Sequence, residues 1–147
     1  MIRATAIAAL LLLTAACGGG TTTTAGRSST ELPSLVHVFS ASAATAGGGT
    51  IVVTMAVHNA ASTADRLLSV TCTCSGTAAI VRPSGSGTVP VKAVALPSNE
   101  VVLMGPHGPH VVLSGVSPAP PAGSTLTLQL HFAHASPATT VMVVDGS

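Results

Sequence analysis

The feature that most limits what this chain can fold into is the strict alternation of Thr125-Leu126-Thr127-Leu128-Gln129-Leu130-His131-Phe132. Successive side chains of an extended strand point to opposite faces, so Leu126, Leu128, Leu130 and Phe132 share one face and the Thr, Gln and His residues the other. The first face is expected in a core and the second in water. Runs of the same kind occupy Leu35 to Phe39, Ile51 to His58, Arg66 to Thr71, Val89 to Val94, Val101 to Met104, Val111 to Leu113 and Thr139 to Val144, with Gly, Pro, Ser and Asn clusters between them. No segment keeps a helical period over three turns. Some seven to nine short strands at this spacing predict an all-β domain, a single sandwich or barrel of immunoglobulin-like size, and exclude the parallel α/β classes.

The N-terminus follows a different rule. Met1-Ile2-Arg3 gives a short positive start, Ala4 to Leu13 is an uninterrupted apolar run, and Thr14-Ala15-Ala16 places small residues before Cys17. This is the pattern of an export signal, and ten apolar residues are too few for a bilayer core that needs about 20. The small residues ahead of Cys17 resemble the lipobox of bacterial lipoproteins, which implies a signal at 1–17 cut before a lipidated Cys17. The stretch 18–32, rich in Gly, Thr and Ser, reads as a flexible tether with an r.m.s. reach of roughly 20 Å. The domain is expected over 33–147, outside the cytoplasm, with the membrane as a partner through the lipid; secretion after an ordinary cut near Ala16 is the other outcome.

Composition narrows the function. Only 6% of residues are charged, against about a quarter in an average soluble domain, and the formal net charge is +1. There is no basic footprint for nucleic acid. The acids beyond the signal are Glu31, Asp65, Glu100 and Asp145, scattered along the chain. Paired carboxylates or a Ser-His-Asp set are not expected from them, and Gly47-Gly48-Gly49 and Gly85-Ser86-Gly87 precede no helix that could bind phosphate. The chain is not expected to be an enzyme.

Several segments then carry a resemblance. Thr54-Met55-Ala56-Val57-His58-Asn59 followed by Thr63-Ala64-Asp65-Arg66-Leu67-Leu68-Ser69-Val70 resembles the second and third strands of the periplasmic copper chaperones called PCu(A)C. Val94-Ala95-Leu96-Pro97, Val101 to Leu103 and Gly108-Pro109-His110-Val111-Val112-Leu113 resemble that family's run into its His-x-Met strand. Ala122-Gly123-Ser124-Thr125-Leu126-Thr127-Leu128 resembles the turn and strand after it. The likeness spans Leu35 to Val144. It implies a cupredoxin-like β-sandwich that binds Cu(I) through histidine and methionine and passes it to an extracytoplasmic copper protein.

Carried over residue by residue, the family's ligand set is incomplete. Its second histidine falls on His110. The methionine two residues on falls on Val112, and the central hairpin that should hold the other two reads Ala79 to Thr88 with neither residue type. Two futures follow: a site rebuilt from other donors, or a lipoprotein that keeps the sandwich without metal and serves as a structural or partner-binding module. The rebuilt site has candidates in His107 and His110 of Pro106-His107-Gly108-Pro109-His110, in Met104 just before them, and in Cys72 and Cys74, since imidazole, thioether and thiolate are the donors that suit copper.

Each candidate has a plainer role available. His107 and His110 fit a solvated turn, and Met104 fits a core. Cys72-Thr73-Cys74 is open to three readings: a disulfide, metal-binding or redox thiols, and buried inert thiols. In a relaxed strand i and i+2 stand about 6.5 to 7 Å apart, so a bridge requires the chain to bend there. His58 and His131 are expected on solvated strand faces, and neither His37 nor His134 shows a sequence neighbour that would make it a ligand.

Overall fold

The computed structural model describes residues 35–74 and 76–145. The signal at 1–17, Cys17 and the tether at 18–32 lie outside the described residues. Ten strands and no helix occur among those described: β1 (Val36–Gly47), β2 (Thr50–Asn59), β3 (Asp65–Cys72), β4 (Thr77–Ser84), β5 (Gly87–Pro90), β6 (Val94–Leu96), β7 (Glu100–Met104), β8 (His110–Ser114), β9 (Thr125–Phe132) and β10 (Ala138–Asp145). The expected all-β sandwich is the fold.

The strands follow one hydrogen-bonded path, β5-β4-β8-β2-β1-β10-β9-β3-β6, with β7 paired to β2 off that path. The path folds over between β1 and β10, where the two strands run parallel and meet only at Ala43 with Val144 and Ala44 with Asp145. One layer is thus built around β2 and the other around β9. Inward-facing Ile51, Val53, Met55 and Val57 of β2 join Leu126, Leu128, Leu130 and Phe132 of β9 in one buried cluster. The alternating strand β9 therefore supplies four residues of this core, and the other strands of both layers supply most of the rest.

Three details depart from the pattern read in the sequence. β1 continues to Gly47, beyond the expected end at Phe39, through Ser, Ala and Thr residues that carry no hydropathic alternation. It is paired there with β2 from Ser42 to Gly47, and Ala43, opposite Val144 of β10, is completely buried. A register shift between Phe39 and Ser42, with Ser40 at φ 51°, bends β1 between its two halves. The run Val89 to Val94 divides because the chain changes layers: β5 pairs with β4, followed by one further bond from Val91 N–H to the Ile80 carbonyl at 2.9 Å, and β6 pairs with β3. β4, absent from the alternating runs, pairs with β5 in the central hairpin that the family resemblance implied, and the strand count is ten rather than seven to nine.

β2 is shared end to end. β8 pairs with Ile51 to Val53, and β7 with Met55 to Asn59. The turn from β1 into β2 uses Gly47, Gly48 and Gly49, all at positive φ, and the Gly49 carbonyl accepts a bond from Val116 N–H at 2.9 Å. A Cβ on Gly49 would lie 2.9 Å from the Val116 carbonyl oxygen, so this glycine is required by space as well as by conformation.

Two polar side chains tie loops to this frame. Asn59, buried, donates to the carbonyls of Thr63 and Leu96 at 2.9 Å and accepts from Ala61 N–H. Asp65, also buried, accepts from the backbone N–H groups of Arg66, His134 and Ala135 at 2.7, 3.1 and 2.8 Å. Burial alone would raise the Asp65 pKa; the N–H donors of Arg66, Ala135 and His134, helped by the charge of His134, outweigh it and hold the carboxyl below its usual value.

Two outcomes follow. Leu128→Ala, at a fully buried position, is expected to lower unfolding free energy by about 2–5 kcal/mol, read from the denaturant midpoint at constant m-value. Because the folded Asp65 pKa is depressed, its stabilisation is complete above the ordinary aspartate range and is lost as pH falls through the lower folded value. Asp65→Asn is therefore expected to be destabilised by about 1–3 kcal/mol at neutral pH, with the difference from the parent shrinking in acid; an equal difference at pH 7 and pH 2 would refute this.

Candidate functional site

His110 begins β8, opposite Val81 of β4. It stands on the outer side of its layer, because its neighbour Val111 pairs with inward-facing Val53. It is nevertheless 6% exposed. Its Nδ1 lies 3.0 Å from the Gly108 carbonyl oxygen. A carbonyl only accepts, so Nδ1 carries the proton and Nε2 of the neutral ring keeps its lone pair. Histidines that ligate metals are commonly oriented by this arrangement, the far nitrogen donating to a backbone carbonyl.

The turn that supplies the carbonyl is short. Gly108 N–H bonds to the Gly105 carbonyl at 2.9 Å, placing Pro106 and His107 at its two corners. Proline suits the first corner through its fixed φ. His107, at the second, is exposed. Met104, the last residue of β7, is opposite Met55 of β2, and both are buried in the core. Its thioether thus lies on the inward side of the layer, whereas His110 is on the outward side. Val112, where the copper chaperones resembled have methionine, is half-buried on the same face as His110.

Cys72 and Cys74 are joined in a disulfide. Their Cα atoms are 5.1 Å apart, well inside the range for a bridge and shorter than an extended strand permits. The reason is a bend. The β3 ladder ends at Cys72 opposite Leu128, one further bond runs from Thr73 N–H to the Thr127 carbonyl at 3.3 Å, and the chain then turns so that Cys74 N–H points at the Cys72 sulfur, 3.0 Å away. Of the three readings open for these cysteines, the metal-ligand one requires free thiolates, and the bridged pair has none.

No three His, Cys, Asp or Glu side chains converge on a metal-sized point among the described residues. A cavity of about 280 Å³ exists elsewhere, lined by Leu35, Val36, Asn59, Thr63, Asp65 and His134 among others. Its two strongest polar groups, Asn59 and Asp65, are already occupied with loop backbone. The sequence reading missed one juxtaposition: His37 and His58 are register partners across β1 and β2, with ring centroids 6.3 Å apart. The signal available for it was parity, since both residues occupy solvated positions of adjacent strands.

The model of the LpqE-like lipoprotein family matches residues 34–144. Among solved structures, the copper-bound PCuAC domain from PmoF2 is 23% identical with a TM-score of 0.66, the match covering 77% of this chain and 94% of that one. The apo PCuAC domain from PmoF1 is 21% identical with a TM-score of 0.64, covering 77% and 95%. The Cu(I) form of DR1885 from Deinococcus radiodurans is 15% identical with a TM-score of 0.56, covering 80% and 81%. No curated protein sequence matches the chain. The resemblance to the PCu(A)C fold read from the sequence is thereby confirmed.

The bridge makes a direct prediction. Alkylation of the unfolded, unreduced protein is expected to leave Cys72 and Cys74 unlabelled, and prior reduction to add two labels on the peptide containing them, read by mass spectrometry.

Proposed function

The chain belongs to the LpqE-like lipoprotein family, and on that premise we propose that it is an exported carrier of Cu(I), held at the membrane through lipidated Cys17. Copper is its cargo, and the recipient is a copper-accepting protein outside the cytoplasm. The lipoprotein character of the family and the lipobox-like residues before Cys17 support the anchor. The likeness to a copper-bound PCuAC domain and to the Cu(I) form of DR1885 supports the choice of metal.

The observation that carries the reading is the fixed ring of His110. It is buried, its tautomer is set by the Gly108 carbonyl, and the remaining nitrogen is the donor type that suits copper. The wider donor set is thin: Val112 has no lone pair, Met104 is in the core, and Cys72 and Cys74 are oxidised. A low-coordinate site binds less tightly than a filled one and leaves open positions that an acceptor's ligands can enter before the first bond breaks. Exposed His107, three residues away in the same turn, is the nearest additional imidazole in sequence.

The competing reading, a structural or partner-binding lipoprotein without metal, draws on the same thin donor set. One measurement separates them. In an anaerobic Cu(I) titration against a competing chelator, the parent is expected to take up copper and His110→Ala to bind at least tenfold more weakly. Equal affinity in the two would remove His110 from the site, and no uptake by the parent would favour the metal-free reading.

A further inference from the structure

We propose that His37 and His58 form a second Cu(I) site, a two-imidazole clip on the outer face of the layer built around β2. It is distinct from His110. Val111, the residue after His110, pairs with Val53. His58 lies five residues farther along β2, about 17 Å by strand rise. One ion cannot bridge the two positions.

Register creates the clip. His37 and His58 are directly opposed on antiparallel strands, so their side chains leave the same face. The ring centroids are 6.3 Å apart and the planes are tilted by 36°. A metal–imidazole bond of roughly 2.0–2.1 Å, with roughly 1.1 Å more from ring nitrogen to centroid, lets two rings share one ion up to about 6.4 Å apart. The observed spacing lies at the open end of that range, which suits an ion held between two nitrogens on nearly opposite sides.

The surroundings select the ion. Val101 of β7 is the other register partner of His58, and the next row on this face is Phe39, Ala56 and Leu103. Phe39, Val101 and Leu103 are all exposed, Leu103 to 74%. Among the described residues, carboxylates are absent from the pair: Glu100 is opposite Asn59, whose side chain turns inward, and Asp65, on β3, is committed to the N–H groups of Arg66, His134 and Ala135. Asp145 is opposite Ala44, at the far end of β1. Two neutral nitrogen donors in an apolar rim leave a hard divalent ion without the oxygen ligands and charge balance it needs, whereas monovalent Cu(I) accepts two imidazoles.

The test uses the full chain under anaerobic conditions with Cu(I) and a competing chelator. The parent is compared with His37→Ala, His58→Ala, the double variant, and the same three changes made in His110→Ala. One equivalent of Cu(I) is expected to be lost, or bound at least tenfold more weakly, in both backgrounds. Each single variant should lose as much as the double, because one remaining imidazole does not hold the ion. Cu(I) is diamagnetic, so the ring-proton resonances of His37 and His58 should shift together as that equivalent binds. Copper uptake indifferent to both histidines, additive losses, or ring signals that move with Zn(II) but not with Cu(I) would each overturn the clip. Failure of His110→Ala alone to change binding would bear only on the carrier reading above.

Discussion

Strand β1 belongs to both layers, and the rest of the domain depends on that shared membership. Its length pairs with β2, and at Ala43 and Ala44 it also meets β10, the route by which the sheet turns over to form the opposite layer. Ala43, at this junction, has no exposed surface, and a larger residue there would push the layers apart at a cost of about 1–3 kcal/mol. The bend after Phe39 changes which rows of β1 face outward. It leaves His37 and Phe39 on the face they share with His58 and Ala56.

The sequence made the core strands legible because Leu, Val and Phe at every second position leave one arrangement able to bury them. β9 and β2 were readable for that reason. The continuation of β1 was not, since Ser-Ala-Ala-Thr-Ala carries no difference in hydropathy between its two faces. β4 and β5 were obscured differently: beyond Val81 the hairpin is exposed throughout, so no apolar row announces it. The site divides in the same way. His110 was reachable through a family likeness, but its burial, its tautomer and the separation of Met104 onto the opposite side of the layer depend on register. The His37 and His58 pair required knowing which strands are neighbours.

The bridge between Cys72 and Cys74 illustrates how a local deviation changes the chemistry on offer. Closing so short a segment excludes few conformations of the unfolded chain, so little stability is expected from it. Its larger effect is on the ligand inventory. Oxidised, the domain presents nitrogen donors to soft metals, and the sulfur of its methionines Met55, Met104 and Met142 is buried in the core.

The short outer strands carry a consequence for a chain so poor in charge. Proteins usually keep their sheet borders from recruiting other chains by placing lysines there, and this composition has few to spare. Here the borders are curtailed: β5 has four residues and ends in proline, β6 has three, and β7, bonded only to β2, has five. At these three strands, a strand arriving from another molecule would find few successive hydrogen-bonding groups to register against. At these three borders brevity does the work of charge.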